Sequence, residues 1–137
     1  MPRDTDFKHN TIRILVVDGD DAEADSLVKS LCEAGFRKAN IVVARSFDDA
    51  VNAVEKETLQ VALINYNLPS HTGFELMEEL MRMGNPVPVI MTAEAKDSKI
   101  DSGAMERGAY DYLTHSEIDP ELLERTIRYT IIRRKLE

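Results

Sequence analysis

At 137 residues, with 43% hydrophobic and 31% charged side chains, the chain has the size and composition of one soluble globular domain with a real core. The net charge of −8 argues against nucleic-acid binding by the domain as a whole. No apolar run approaches the roughly 18 residues of a membrane-spanning helix, and the single cysteine, Cys32, cannot close an internal disulfide and fits a reducing cytoplasm.

Residues 1–11 are polar and lack an apolar signal segment, so they read as a flexible N-terminus. A first strand is expected over Ile12–Val17, running into Asp18, Gly19, Asp20 and Asp21. The first helix shows Ala24, Leu27, Val28 and Leu31 at helical spacing and stops at Gly35, with Cys32 expected on it as a small buried hydrophobe. A second strand over Ile41–Ala44 precedes a helix carrying Ala50, Val51 and Val54. A third strand, Val61–Asn65, leads to a helix that starts near Gly73, sets Phe74, Met77, Leu80 and Met81 on one side, and ends at Gly84. The fourth strand is expected over Val87–Thr92 and its helix from about Asp97 to Arg107, closed by Gly108. The fifth strand is Tyr110–Thr114. The last helix opens at Asp119-Pro120, an N-cap followed by proline at the first helical position.

The strands are Val/Ile-rich and apolar throughout, as strands buried on both faces should be. Their alternation with amphipathic stretches predicts an α/β fold: a flavodoxin-like (βα)5 three-layer sandwich around a five-stranded parallel sheet in the order 2-1-3-4-5. In such a sheet the functional crevice lies at the carboxyl ends of the strands. Asp18, Asn65, Thr92 and His115 fall at or just beyond those ends and should converge there.

Four motifs in order give the chain a closer resemblance. Val61-Ala-Leu-Ile-Asn65 followed by Leu68, Pro69 and Gly73, Asp18 after the first strand, Thr92-Ala93 after the fourth, and Gly108-Ala109 with Tyr112 before His115 are similar to the signature of bacterial receiver domains of two-component response regulators. The resemblance covers residues 12–134. It implies a place in phosphorelay signalling, in which two acids and an acceptor aspartate hold Mg²⁺, the aspartate attacks phosphorus, and a Thr/Ser hydroxyl and a lysine bind the phosphoryl oxygens. This chain departs from that pattern at three positions. Asn65 stands at the acceptor position, Gly19 in the second acidic slot, and His115 in place of the lysine. An amide is a far weaker nucleophile than a carboxylate, because it carries no charge and its nitrogen lone pair is delocalised. The chain therefore looks like a degenerate, pseudo-receiver form acting by protein–protein interaction, with Asn65 holding a fixed signalling state or merely satisfying local hydrogen bonds, and it is not expected to be an enzyme.

Of the remaining site positions, Asp18 matches the first acid. Asp20 and Asp21 fall where carboxylates cap a helix, so any metal site at Asp18 and Asp20 is weak or absent. No cofactor is expected, and Mg²⁺ binds weakly at best. Thr92 is expected to hydrogen-bond locally. Tyr112 matches the switch aromatic that swings inward on activation in the family. His115 reads as a solvated loop histidine, too short for a phosphate clamp, and Ser116 in place of proline favours a trans peptide.

The last helix carries two apolar stripes. Leu123, Ile127 and Ile131 suit the sheet; Leu122, Tyr129, Ile132 and Leu136 lie well over 100° away by helix geometry, at spacings that suit a coiled-coil seam. Residues 121–137 hold five Arg/Lys and three Glu, a net +2, which leaves −10 on residues 1–120. Cations near a helix C-terminus suit its dipole. This segment also resembles the connector that joins receivers to downstream domains. Expected partners are a sensor kinase or an output domain, with a homodimer through the last helix, in the cytoplasm, and with neither nucleic acid nor membrane. Two alternatives stay open: a phosphorylatable receiver using Asp18 or Asp20, and a small flavodoxin-like cofactor binder, which the acidic loop after the first strand disfavours.

Overall fold

The computed structural model describes residues 7–84 and 87–137. Among them, strands β1 (Ile14–Val17), β2 (Ile41–Ala44), β3 (Val61–Asn65), β4 (Val89–Ala93) and β5 (Asp111–Thr114) alternate with helices α1 (Asp21–Glu33), α2 (Phe47–Lys56), α3 (Gly73–Arg82), α4 (Ser98–Glu106) and α5 (Pro120–Lys135). The strands form one parallel sheet in the order β2-β1-β3-β4-β5, as expected. Among the described residues, no helix is long and apolar enough to cross a membrane.

Strand alternation splits the core into two layers. Leu15, Val17, Ala62, Ile64 and Met91 face α2, α3 and α4 through Ala50, Val54, Leu76, Leu80 and Ala104. Ile14, Val16, Val61, Leu63, Ile90 and Leu113 face α1 and α5 through Leu27, Leu31, Leu123, Ile127 and Ile131. β3 and β4 are buried along their whole length, which explains their continuous apolar runs. β4 starts later than the sequence suggests. Pro88 lacks the N–H a ladder needs, although its carbonyl still accepts from Ala62 N at 2.9 Å.

Three side chains depart from expectation on the helices. Cys32 is exposed rather than buried, because Leu31 takes the core position and the next residue turns about 100° away. Met81 is likewise 62% exposed beside the buried Leu80, and Val28 is only half-buried. At the N-terminus, residues 1–6 lie outside the described residues. Phe7 and His9 pack edge-on at 4.8 Å, Phe7 meets the Phe36 ring at 6.1 Å, and His9 Nε2 contacts Glu124 Oε2 of α5 at 2.9 Å.

The polar ends of the sheet are fixed by caps. Asp20, Ser46, Thr72, Asp97 and Asp119 each accept a backbone N–H from the first turn of the helix they start. At Thr72 the partner Glu75 completes a reciprocal capping box. Between β3 and α3, Asn67–Leu68 pairs antiparallel with His71–Thr72 around the turn Pro69-Ser70. Ser70 takes φ 63°, so proline followed by a left-handed residue gives the order of a type II turn.

Candidate functional site

The carboxyl ends of β1 and β3, the start of α1 and the turn after β5 surround an open cleft of about 390 Å³. Asp18, Gly19, Asp20, Glu23, Asn65, Asn67, Leu68, Pro69, Glu94 and His115 line it. The parallel register sets its depth: Val17 pairs with Ile64 and Asn65 with Thr92, so Asp18 and Asn65 leave the sheet at nearly one level. Neither lysine nor arginine is among the lining residues.

Asp18 is fully buried. Its Oδ1 accepts from Asp20 N at 2.9 Å, while its Oδ2 has no hydrogen-bond partner. Asp20 serves as N-cap, accepting from Glu23 N at 2.9 Å, and Asp21 pairs with Arg45 away from the cleft. Asn65 is 6% exposed; its Nδ2 donates to Glu23 Oε1 at 3.4 Å and its Oδ1 has no partner.

Gly19 has little space for a side chain. A Cβ there would lie 2.7 Å from Pro69 Cδ and 2.9 Å from Cγ, so the proline ring fills the volume a second acid needs. Gly73 has a similar role behind the site. A Cβ would meet the Asn65 carbonyl oxygen at 2.9 Å, and Gly73 N donates to Tyr66 O at 2.6 Å, so α3 starts directly against the end of β3.

His115 is not a solvated loop histidine. Its side chain is 17% exposed, with Nδ1 3.0 Å from Glu23 Oε2 and Nε2 3.8 Å from Asp18 Oδ2. Neither nitrogen makes an aligned hydrogen bond. The surrounding peptides are trans, in keeping with Ser116. Thr92 is fully buried and its Oγ1 has no partner, contrary to the local hydrogen bond expected of it. Tyr112 is half-buried outside the cleft. Its hydroxyl donates to Ala95 O at 2.8 Å and accepts from Asp97 N at 3.2 Å, which holds the ring against the segment between β4 and α4.

Two cleft residues were missed in the sequence. Glu23 and Glu94 bring the carboxylates to four, with Asp18 and Asp20. Glu23 stands three residues after an aspartate N-cap, a spacing that favours a backbone partner. It turns instead toward Asn65 and His115. Burial pushes its carboxyl above the ordinary range; His115 opposes this, and the charges of Asp18, Asp20 and Glu94 add to it.

On the last helix, the four outer-stripe residues divide. Leu122 packs against the α1/α5 core layer and Ile132 is half-buried, whereas Tyr129 is 58% and Leu136 70% exposed.

Solved structures share this fold. A CheY-like response regulator receiver domain protein from Methanospirillum hungatei is 24% identical, with 91% of this chain and 96% of that one covered at a TM-score of 0.77. A response regulator receiver domain protein from Clostridium thermocellum is 22% identical over 91% and 98% of the two chains, at 0.79. A response regulator from Burkholderia pseudomallei, 17% identical over 91% and 71% at 0.74, was solved with a phosphorylated aspartic acid, a calcium ion and citrate. These likenesses establish the fold; the family follows from the sequence itself, since residues 14–128 match the description "Response regulator receiver domain", and the chain belongs to that family.

Proposed function

We propose that this receiver domain signals through protein contacts, without phosphorylation of an aspartate side chain. The observation that carries this reading is Asn65, which ends β3 at 6% exposure, where the resemblance places the acceptor aspartate. Its amide has no charge with which to attack phosphorus. Two further features support it. Four carboxylates around the cleft repel an anionic phosphoryl donor, and neither lysine nor arginine lines the cleft to offset them. Of the alternative acceptors, Asp20 caps α1, and Asp18 is fully buried with its Oδ1 held by Asp20 N.

On this reading the domain turns over no substrate. Mg²⁺ binds weakly at best, because Gly19 offers no ligand and Asn65 only a neutral oxygen. Its partners are a sensor kinase or a downstream output domain in the cytoplasm, with the outer side of α5 as the surface for such a domain or a second copy.

Incubation with acetyl phosphate followed by intact-mass measurement tests the reading. The expected spectrum is unmodified protein under conditions that label an ordinary receiver stoichiometrically. An acid-stable, base-labile phosphate adduct would overturn it, and peptide mapping would then show whether Asp18 or Asp20 carries the group.

A further inference from the structure

Asp18, Glu23 and His115 come from the end of β1, the first turn of α1 and the turn after β5, yet each offers a donor atom within 4.8 Å of the others. Glu23 Oε2 and His115 Nδ1 are 3.0 Å apart without an aligned hydrogen bond, and Asp18 Oδ2, in a fully buried residue, has no partner. A separate sign comes from Asn65, a residue 6% exposed that lines the same cleft with its Oδ1 unpartnered. Asp18 Oδ2 and Asn65 Oδ1 are both acceptors, so they cannot satisfy one another, and leaving them buried without a partner is costly. One cation among them would satisfy them together.

We propose that Asp18, Glu23 and His115 form a binding site for a divalent first-row transition-metal ion of the Zn²⁺ class, with Asn65 Oδ1 as a neutral fourth donor. The donor set decides the class of ion. Mg²⁺ and Ca²⁺ take oxygen shells, whereas imidazole suits zinc, nickel and copper. Two carboxylates balance the dication, and the imidazole supplies the nitrogen.

The spacing agrees with this. Donors bonded at about 2.0–2.2 Å to one ion lie roughly 3.0–3.5 Å apart. The separation of 3.0 Å between Glu23 Oε2 and His115 Nδ1 already meets this; Asp18 Oδ2 lies 3.8 Å from the other ring nitrogen, Nε2, so the imidazole has to turn and the three donors, now within 4.8 Å of one another, have to close about the ion. The site shares Asp18 and position 65 with the magnesium site implied by the receiver resemblance and differs from it in Glu23, His115 and the ion. Glu23 is a helix residue outside the family motifs, and His115 stands where a lysine would repel a second cation. The proposal goes beyond the signalling reading and is independent of it, since metal binding is read by titration and phosphoryl uptake by mass.

The experiment is calorimetric titration of Zn²⁺, and separately Mg²⁺, into chelator-stripped protein. Wild type should bind one Zn²⁺ saturably, with Mg²⁺ giving no saturable heat below millimolar concentration. His115→Lys and Glu23→Gln should each weaken Zn²⁺ at least about tenfold, as loss of a ligand or its orienting group does. His71→Asn, which alters a half-buried histidine outside the cleft, should leave Zn²⁺ binding unchanged. The visible absorption of bound Co²⁺ should appear with wild type and vanish with His115→Lys. Circular dichroism confirms that each variant is folded, and Glu23→Gln carries the test should His115→Lys unfold. Absence of saturable Zn²⁺ binding by wild type would overturn the proposal. So would binding that survives both folded variants, or tighter binding of Mg²⁺ than of Zn²⁺.

Discussion

Position 65 shows how one atom sets the electrostatics of the cleft. As asparagine it presents an N–H₂ group to Glu23 Oε1 at 3.4 Å; as aspartate it would present a second carboxylate to a carboxyl already pushed up by burial. We expect Asn65→Asp to destabilise metal-free protein by about 1–3 kcal/mol, the usual cost of leaving a buried group unsatisfied, measured by urea unfolding in the presence of a chelator. Equal or greater stability would show that the cleft is open enough to solvate the added charge. The sequence made Asp18, Asn65, Thr92 and His115 legible because each lies at or next to the carboxyl end of a strand, and strand ends converge in a parallel sheet. It did not reveal Glu23, because a carboxylate in a helix's first turn has several local partners available and the capping-box spacing favours one of them. Nor did it reveal that His115 is enclosed, since a turn residue gives no periodic signal.

Among the elements, β2 and β3 had the limits expected of them because both are apolar runs bounded by polar residues. β4 did not, because of Pro88, and the side chains misplaced on helices, Cys32 and Met81, sit one step around from core leucines. A rotation of one residue is hard to read when the apolar face is wide. Helix α5 has a further tie that periodicity could not show. Burial raises the pKa of Glu124, but hydrogen bonds from Arg128 within α5 and from His9 near the N-terminus outweigh it, so the carboxyl sits below its ordinary value. A depressed acid stabilises the fold above its unfolded pKa and loses that contribution as pH falls through the folded one. Glu124→Gln should therefore cost about 0.2–1 kcal/mol near neutrality, as for a partly exposed ion pair. The gap between wild type and variant should close as pH falls below the ordinary carboxylate range. Thermal midpoints measured from neutral pH into that range check this; a gap that widens on acidification would contradict it.

For the whole molecule, the proposed contact surface is smaller than the sequence implied. Leu122 is committed to the core layer, which leaves Tyr129, Leu136 and the half-buried Ile132 facing outward on α5. An apolar side chain fully buried is worth roughly 1.5–3 kcal/mol, and association entropy takes several kcal/mol back. A weak, concentration-dependent dimer is the expected outcome. Tyr129→Glu with Ile132→Glu should abolish it and leave the fold intact, as read by sedimentation and circular dichroism. A strict monomer at high concentration would leave α5 to a following domain or another partner, and unfolding of the double variant would return Ile132 to the core.

The contact between Gly19 and the Pro69 ring makes side-chain volume at position 19 a lever on a distant helix. The ring belongs to the short hairpin whose last residue, Thr72, caps α3, and Gly73 then abuts the Asn65 carbonyl. Any atom added at 19 must push that hairpin outward, and α3 is fastened to it. A graded series, Gly19→Ala, Gly19→Ser and Gly19→Asp, should move the amide resonances of residues 67–75 in proportion to added volume, with an overpacking cost of about 1–3 kcal/mol at the largest. Shifts confined to residue 19 and its neighbours would show that the ring gives way alone. If the series behaves as expected, α3 can be displaced from the far side of the cleft by bulk alone, with no change of charge at Asn65.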